Sequence, residues 1–235
     1  MKVAIDGPAG SGKSTVCKIL ASKYNLTYLD TGAMYRAVAY CSYKYGDEYL
    51  GDKLRDVEFI FANQGKSLTL KIDNNSIDVT DEIRTPHISS IVSKVASIKE
   101  VRDILTKKQQ EIARNINVIM EGRDITTVVF PNAEVKIYLT ADASERANRR
   151  YKELIAKGID TTYEATYDSI MKRDENDMKK EMGALKIAED AVVIDSTEMS
   201  IEEVYEKVVE IITNTELDST DDDENITVKI NNEEQ

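Results

Sequence analysis

Histidine occurs once in the 235 residues, at His87. A Ser-His-Asp or Cys-His machine would have to be built on that one imidazole, and a histidine-rich metal site is excluded. Directly behind Pro86, His87 reads as a loop or helix-start residue, so any general base is expected to be a carboxylate. Cysteine is nearly as scarce. Cys17 and Cys41 stand far apart and form no Cys-x-x-Cys, which argues against a disulfide framework or a zinc site. No apolar run approaches the roughly 18 residues that cross a bilayer. Met1-Lys2 leads straight into a short apolar run and a glycine-rich loop, not a secretory leader. A cytoplasmic protein without membrane contact is expected. Two signatures of GTP switches, Asp-x-x-Gly and Asn-Lys-x-Asp, are missing as well.

A length of 235 residues suits one core with a mobile subdomain, and 41% hydrophobic with 31% charged residues is the composition expected of a soluble protein. The net charge of −12 is unevenly spread. Eight acidic side chains between 216 and 235, against Lys229 alone, give that tail −7 and leave −5 for residues 1–215. Nothing in this balance calls for a nucleic-acid partner. The tail is expected to be solvated and disordered, with 226–230 alternating like an edge strand.

The most informative segment is Gly7-Pro8-Ala9-Gly10-Ser11-Gly12-Lys13-Ser14, followed by Thr15. It follows the apolar run Val3-Ala4-Ile5 and opens a helical stretch from Ser14 to Tyr24. That is the Gly-x4-Gly-Lys-Ser pattern in the strand–loop–helix setting of a phosphate-binding loop. Its glycines permit backbone angles that turn successive N–H groups toward an anion, and the helix aims its positive end at the same point. Lys13 would supply charge to the β- and γ-phosphates, and the Ser14 hydroxyl would join a magnesium shell.

Five apolar runs recur between helical stretches: 3–6, 27–30, 117–121, 135–139 and 191–195. Such runs suit strands buried on both faces, so a doubly wound α/β fold with a parallel five-stranded sheet is predicted. Ligands of such sheets collect at the C-terminal strand ends, where Asp6, Asp30, Glu121 and Asp195 fall. Residues 31–116 exceed one crossover and read as an insertion. Within it, 67–72 and 76–79 form a hairpin about Asp73-Asn74-Asn75, followed by helices at 86–97 and 99–114. Residues 156–185, dense in charge, read as a mobile lid. The remaining core covers about 1–30, 117–155 and 186–213, closing a domain at 215.

Phosphoryl transfer between polyanions is mainly a matter of placing and neutralising charge, so small kinases gather arginines from insertions and lids. Arg36 lies one turn into the helix that follows Asp30, Arg123 leaves the third strand, Arg149 and Arg150 precede the lid, and Arg173, Asp177 and Lys180 share one helical face at i, i+4 and i+7. Taken singly, each is an ordinary surface charge.

The segments at 6–15, 29–36 (Leu-Asp-Thr-Gly-Ala-Met-Tyr-Arg), 82–85 (Glu-Ile-Arg-Thr), 121–133 (Glu-Gly-Arg-Asp-Ile-Thr-Thr-Val-Val-Phe-Pro-Asn-Ala) and 190–197 (Asp-Ala-Val-Val-Ile-Asp-Ser-Thr) together resemble the bacterial cytidylate kinases, over about residues 2–213. The resemblance implies a P-loop kinase that phosphorylates CMP and dCMP from ATP with Mg²⁺, expected to act as a monomer. It implies that residues 7–15 hold ATP, with Arg149 beside them. Arg36, Arg123 and Arg173 would neutralise the acceptor phosphate and the transferring group near Thr31. Ser93, Arg102 and Asp124 would read the cytosine edge, and Asp177 would reach the ribose. Lys13, Arg123, Arg173 and Lys180 would be the catalytic cations, with Ser14 on the metal.

The chain departs from the family pattern in the lid. Lys180 stands where an arginine is usual, and Ala184-Leu185 replaces a Pro-Leu pair. Lysine keeps the charge but loses the bidentate fork. A kinase for another nucleotide or small metabolite, or a nucleotide-dependent regulatory module with a degraded lid, are the competing expectations.

Overall fold

The computed structural model of the chain describes residues 1–63 and 65–223, with 216–223 described by backbone alone. Strand β1 (Lys2–Asp6) alternates Val3 and Ile5 toward one core and Ala4 toward the other, all essentially inaccessible to solvent. That two-sided burial makes it central. It pairs in parallel with β6 (Val118–Gly122) and β7 (Val135–Thr140). Strands β2 (Thr27–Asp30) and β8 (Val192–Asp195) complete a parallel sheet of order β2-β6-β1-β7-β8. All five strands predicted from the apolar runs are present within a residue or two of their expected bounds.

Helix α1 (Lys13–Tyr24) starts behind Gly12 and ends where Asn25 turns left-handed at φ 51°. Helix α2 (Thr31–Tyr45) begins directly at the end of β2, because the Asp30 carboxylate accepts from Ala33 N–H at 2.9 Å. Helix α3 (Pro86–Val95) is capped by Thr85 with Pro86 in its first turn, and α4 (Lys99–Ala113) follows closely. Helix α5 (Ala143–Ala156) leads up to the segment expected to be a lid, and α6 (Tyr163–Lys179) runs through it. Helix α7 (Ile201–Asp223) passes beyond the boundary placed at 215; residues 224–235, with the alternating stretch 226–230, lie outside the described residues.

The insertion holds three antiparallel strands, not a hairpin alone. Strand β3 (Glu58–Ala62) joins β4 (Ser67–Ile72) and β5 (Asn75–Asp78) in the order β3-β4-β5, with a tight turn at Asp73 and Asn74. Sequence reading passed over β3 because its residues are at most half-buried, so it has no continuous apolar signature. Leu68, Leu70 and Val79 plug this small sheet into the same core as α2, α3, α4 and Ala4 of the main sheet. A second core lies on the opposite sheet face, under α1 and α7. One cysteine sits in each: Cys41 in the first, Cys17 in the second.

Candidate active site

The loop between β1 and α1 lies at the C-terminal edge of the sheet, with Gly7, Gly10 and Gly12 all at positive φ. Lys13 folds over it. Its ammonium donates to the carbonyls of Gly7 and Pro8, both at 2.8 Å, and to Ser11 Oγ at 3.2 Å. Burial, aided by the nearby Arg123 and opposed by Glu121, brings its pKa down to about 7.

Glu121, near the end of β6, was read only as a strand terminus. It is buried, and its two oxygens accept from Ser14 Oγ at 2.9 Å and from the Tyr28 hydroxyl. Burial, with the negative charge of Asp30 beside it, pushes its carboxyl up. Asp6 is also buried and receives Ile125 N–H at 3.0 Å, Thr126 N–H at 2.8 Å and Thr126 Oγ1 at 2.7 Å. These bonds pin the π-helical turn Ile125–Val129 and so fix the adjoining Asp124. A carboxylate at the end of each neighbouring apolar strand was visible in the sequence; what each one would hold was not.

The expected cations converge above this edge. Arg36 reaches from α2 to Asp30 Oδ2 at 2.8 Å, and its Nε is buried without a hydrogen-bond partner. Burial alone would raise the Asp30 carboxyl, but Arg36 and the Ala33 N–H hold it below the usual range. Arg123 Nε donates to Asp177 Oδ2 at 3.0 Å, Arg173 Nε stands 3.8 Å from the same oxygen, and Lys180 Nζ donates to Oδ1 at 2.8 Å. Lys180 does not share the helical face predicted for it: α6 ends at Lys179, and Lys180 is extended, folding back onto Asp177 from beyond the helix.

Arg102 and Asp124 form a buried ion pair, with Arg102 also donating to Ala96 O at 3.1 Å and standing over the Tyr35 ring. Burial, eased by Arg102, raises the Asp124 carboxyl to about 6. Gly183, at φ +63°, presses its backbone onto this pair, and a Cβ there would overlap the Arg102 guanidinium. A cleft of about 620 Å³ opens alongside, between α4 and Met182–Gly183. Ser93 lies half-buried on α3, and no hydrogen bond joins it to the pair among the described residues. Thr31 commits its hydroxyl to Glu121 O at 2.7 Å, tying α2 to β6. Arg149 donates to Ser196 Oγ at 3.0 Å and Ser196 O at 2.6 Å, beside the phosphate loop. Arg150 makes a surface pair with Glu153.

The segment 156–185, read from the sequence as dense in charge, buries two of its charges: Asp174 and Asp177 are nearly inaccessible, and each is matched by arginine or lysine.

A glycine-rich loop on the central strand, with cations drawn from α2, from the end of β6 and from the region of α6, defines a P-loop phosphotransferase of the small-kinase kind. A family model described as cytidylate kinase matches residues 3–214, and the chain belongs to that family. It is 49% identical over 220 residues to the cytidylate kinase of Carboxydothermus hydrogenoformans, spanning 90% of this chain and 97% of the relative. Identity to the Bacillus subtilis cytidylate kinase is 45% over 219 residues, covering 90% and 96%. The fold alone is shared with the crystal structure of an uncharacterized protein from Eubacterium ventriosum, at TM-score 0.51 and 13% identity over 91% of this chain and 98% of that one.

Proposed function

We propose that this protein transfers the γ-phosphoryl group of ATP to CMP and dCMP, giving ADP with CDP or dCDP by direct in-line displacement. The observation that carries the reading is the convergence of Arg36, Arg123, Arg173 and Lys180 between the phosphate loop and the buried Arg102–Asp124 pair. The bond from Pγ to its bridging oxygen breaks, ADP keeps the electron pair, and a phosphate oxygen of CMP bonds to phosphorus. That oxygen is already anionic, so no general base is required, and a single distant histidine is no handicap. What remains for the protein is positioning and neutralising charge.

Lys13 and the backbone N–H groups of the loop 7–15 serve the donor phosphates, apart from Pro8, which has none, and Ala9, whose N–H goes to Asp174. Arg36, Arg123, Arg173 and Lys180 serve the acceptor phosphate and the group in flight; the unpartnered Arg36 Nε is a donor suited to an added anion. Asp124 offers an acceptor to the cytosine amino group and Arg102 a donor to its carbonyl. Asp177 is within reach of the ribose once the phosphate draws its cations away.

Among the described residues no cluster of three or more carboxylate, histidine or cysteine side chains stands ready for a metal. The Ser14 hydroxyl with Glu121 at 2.9 Å is the hard-oxygen pair that fits Mg²⁺, an ion that keeps waters and phosphate oxygens as its other ligands. Bound there with ATP, Mg²⁺ would neutralise charge on the β- and γ-phosphates. The same reading makes the enzyme a cytoplasmic monomer. No described helix is long and apolar enough to cross a membrane, and the two cysteines are free thiols.

A coupled assay of ADP release across CMP, dCMP, UMP, AMP, GMP and shikimate tests the assignment. CMP and dCMP are expected to be used far better than the others; preference for a purine nucleotide or shikimate would overturn it.

A further inference from the structure

Arg146 and Asp174 have no place in the chemistry above, yet they form one of the most enclosed ion pairs in the protein, at 7% and 4% exposure. Replacing such a pair by apolar residues is often neutral for stability, so its burial calls for another explanation. Its partners supply one. The Arg146 guanidinium donates to Ala9 O at 2.9 Å, and the Asp174 carboxylate accepts from Ala9 N–H at 3.3 Å. Both backbone polar groups of Ala9, at the crest of the phosphate loop, are thus bracketed by the pair. Arg146 is anchored in turn, its Nε donating to Ala141 O at 2.8 Å just past β7. Gly10 packs so closely on α5 that a Cβ would come within 2.7 Å of Arg146 O.

Asp174 belongs to the lid helix α6. One residue before it is Arg173, and three residues after it is Asp177, both in the acceptor-side cluster. A single turn of α6 therefore touches the donor loop through Asp174 and the acceptor cations through its neighbours.

We propose that the Arg146–Asp174 pair is a positioning clamp that couples occupancy of the phosphate loop to the placement of the lid helix. The inference rests on the loop being the triphosphate site, but not on which nucleotide accepts the phosphoryl group. Phosphate drawn into the loop reorients its N–H groups; Ala9 moves with them; and Asp174, bonded to Ala9 and braced by Arg146, carries that change into α6. The clamp touches neither substrate and acts through the loop and through Arg173.

The test is amide hydrogen exchange of residues 163–179 with and without AMP-PNP and Mg²⁺, in the full chain and without CMP. In the wild type the analogue is expected to slow exchange of this helix by about tenfold, a typical coupling. In Asp174→Asn, which keeps the size but not the charge, the slowing is expected to vanish while AMP-PNP still binds. Should that variant fail to fold, Arg146→Lys tests the same joint, because lysine cannot reach Ala9 O, Ala141 O and Asp174 together. A merely structural pair would lower the melting temperature and leave the ligand-induced slowing intact; that result in either folded variant overturns the proposal, as does a wild type whose lid ignores AMP-PNP. If the lid responds and CMP is not a substrate, the acceptor assignment falls and the clamp stands.

Discussion

Lys180 and Asp177 meet across the end of the lid helix, ammonium to carboxylate at 2.8 Å, and the same carboxylate holds Arg123 at 3.0 Å through its other oxygen. Burial alone would raise the Asp177 carboxyl; Arg123, Lys180 and Arg173 together hold it below the usual range. One carboxylate thus gathers the three cations that the proposed function assigns to an acceptor phosphate. Asp177→Asn leaves them without their counter-charge, so inorganic sulfate is expected to bind about tenfold tighter at low ionic strength, by calorimetry. Unchanged sulfate affinity would refute this.

Lys180 delivers one charge where an arginine would deliver a planar fork. Lys180→Ala should lower kcat by about ten- to a hundredfold, and Lys180→Arg should raise it. Indifference of kcat to both changes would show that the lid works through another cation.

Lys13 gives up its proton unusually easily for a lysine, with a pKa of about 7 set by burial and by Arg123. At pH 8 a large share of it is expected to be neutral, and an incoming triphosphate is expected to restore the proton. ATP binding should therefore take up a proton at pH 8, and affinity should fall as pH rises above about 7. Calorimetry in two buffers of different ionisation enthalpy measures the uptake, which Lys13→Met should abolish. Lys13→Ala should cut kcat by about a thousandfold with the fold intact.

Asp124, raised to about 6, loses its charge as pH falls through that value and then accepts only weakly from an N4 amino group, its carbonyl oxygen alone remaining as acceptor. KM for CMP should climb below about pH 6 while KM for ATP holds steady, and Asp124→Asn should raise KM for CMP and flatten its pH profile. The folded chain also binds more protons here than the unfolded one between about pH 4 and 6, so this group's contribution to stability declines as pH rises through that window.

The sheet was legible because parallel strands buried on both faces leave unbroken apolar runs, and the phosphate loop because its spacing is dictated by backbone geometry. Strand β3 escaped notice because half-exposed positions blur its pattern. The candidate site could be drawn from the sequence only where a side chain's type and place along the chain suffice to nominate it, as with Lys13, Arg36 and Arg123. Arg146 and Asp174 lie 28 positions apart and look like surface charges; only packing α6 against α5 and the loop makes them a pair. The backbone of Gly183 against Arg102 left no trace either, since nothing local marks a glycine as the roof over another helix.

The two cysteines divide the interior between them. Cys17 and Cys41 are 0% and 1% exposed, on opposite faces of the sheet, and burial raises both thiols and blunts their reactivity. Each becomes available to an alkylating reagent only when its own side opens. The natural chain thus carries one built-in chemical clock per face. Timed alkylation followed by peptide mass analysis would read which half of the molecule breathes first, and how ATP or CMP slows each, with no engineered label.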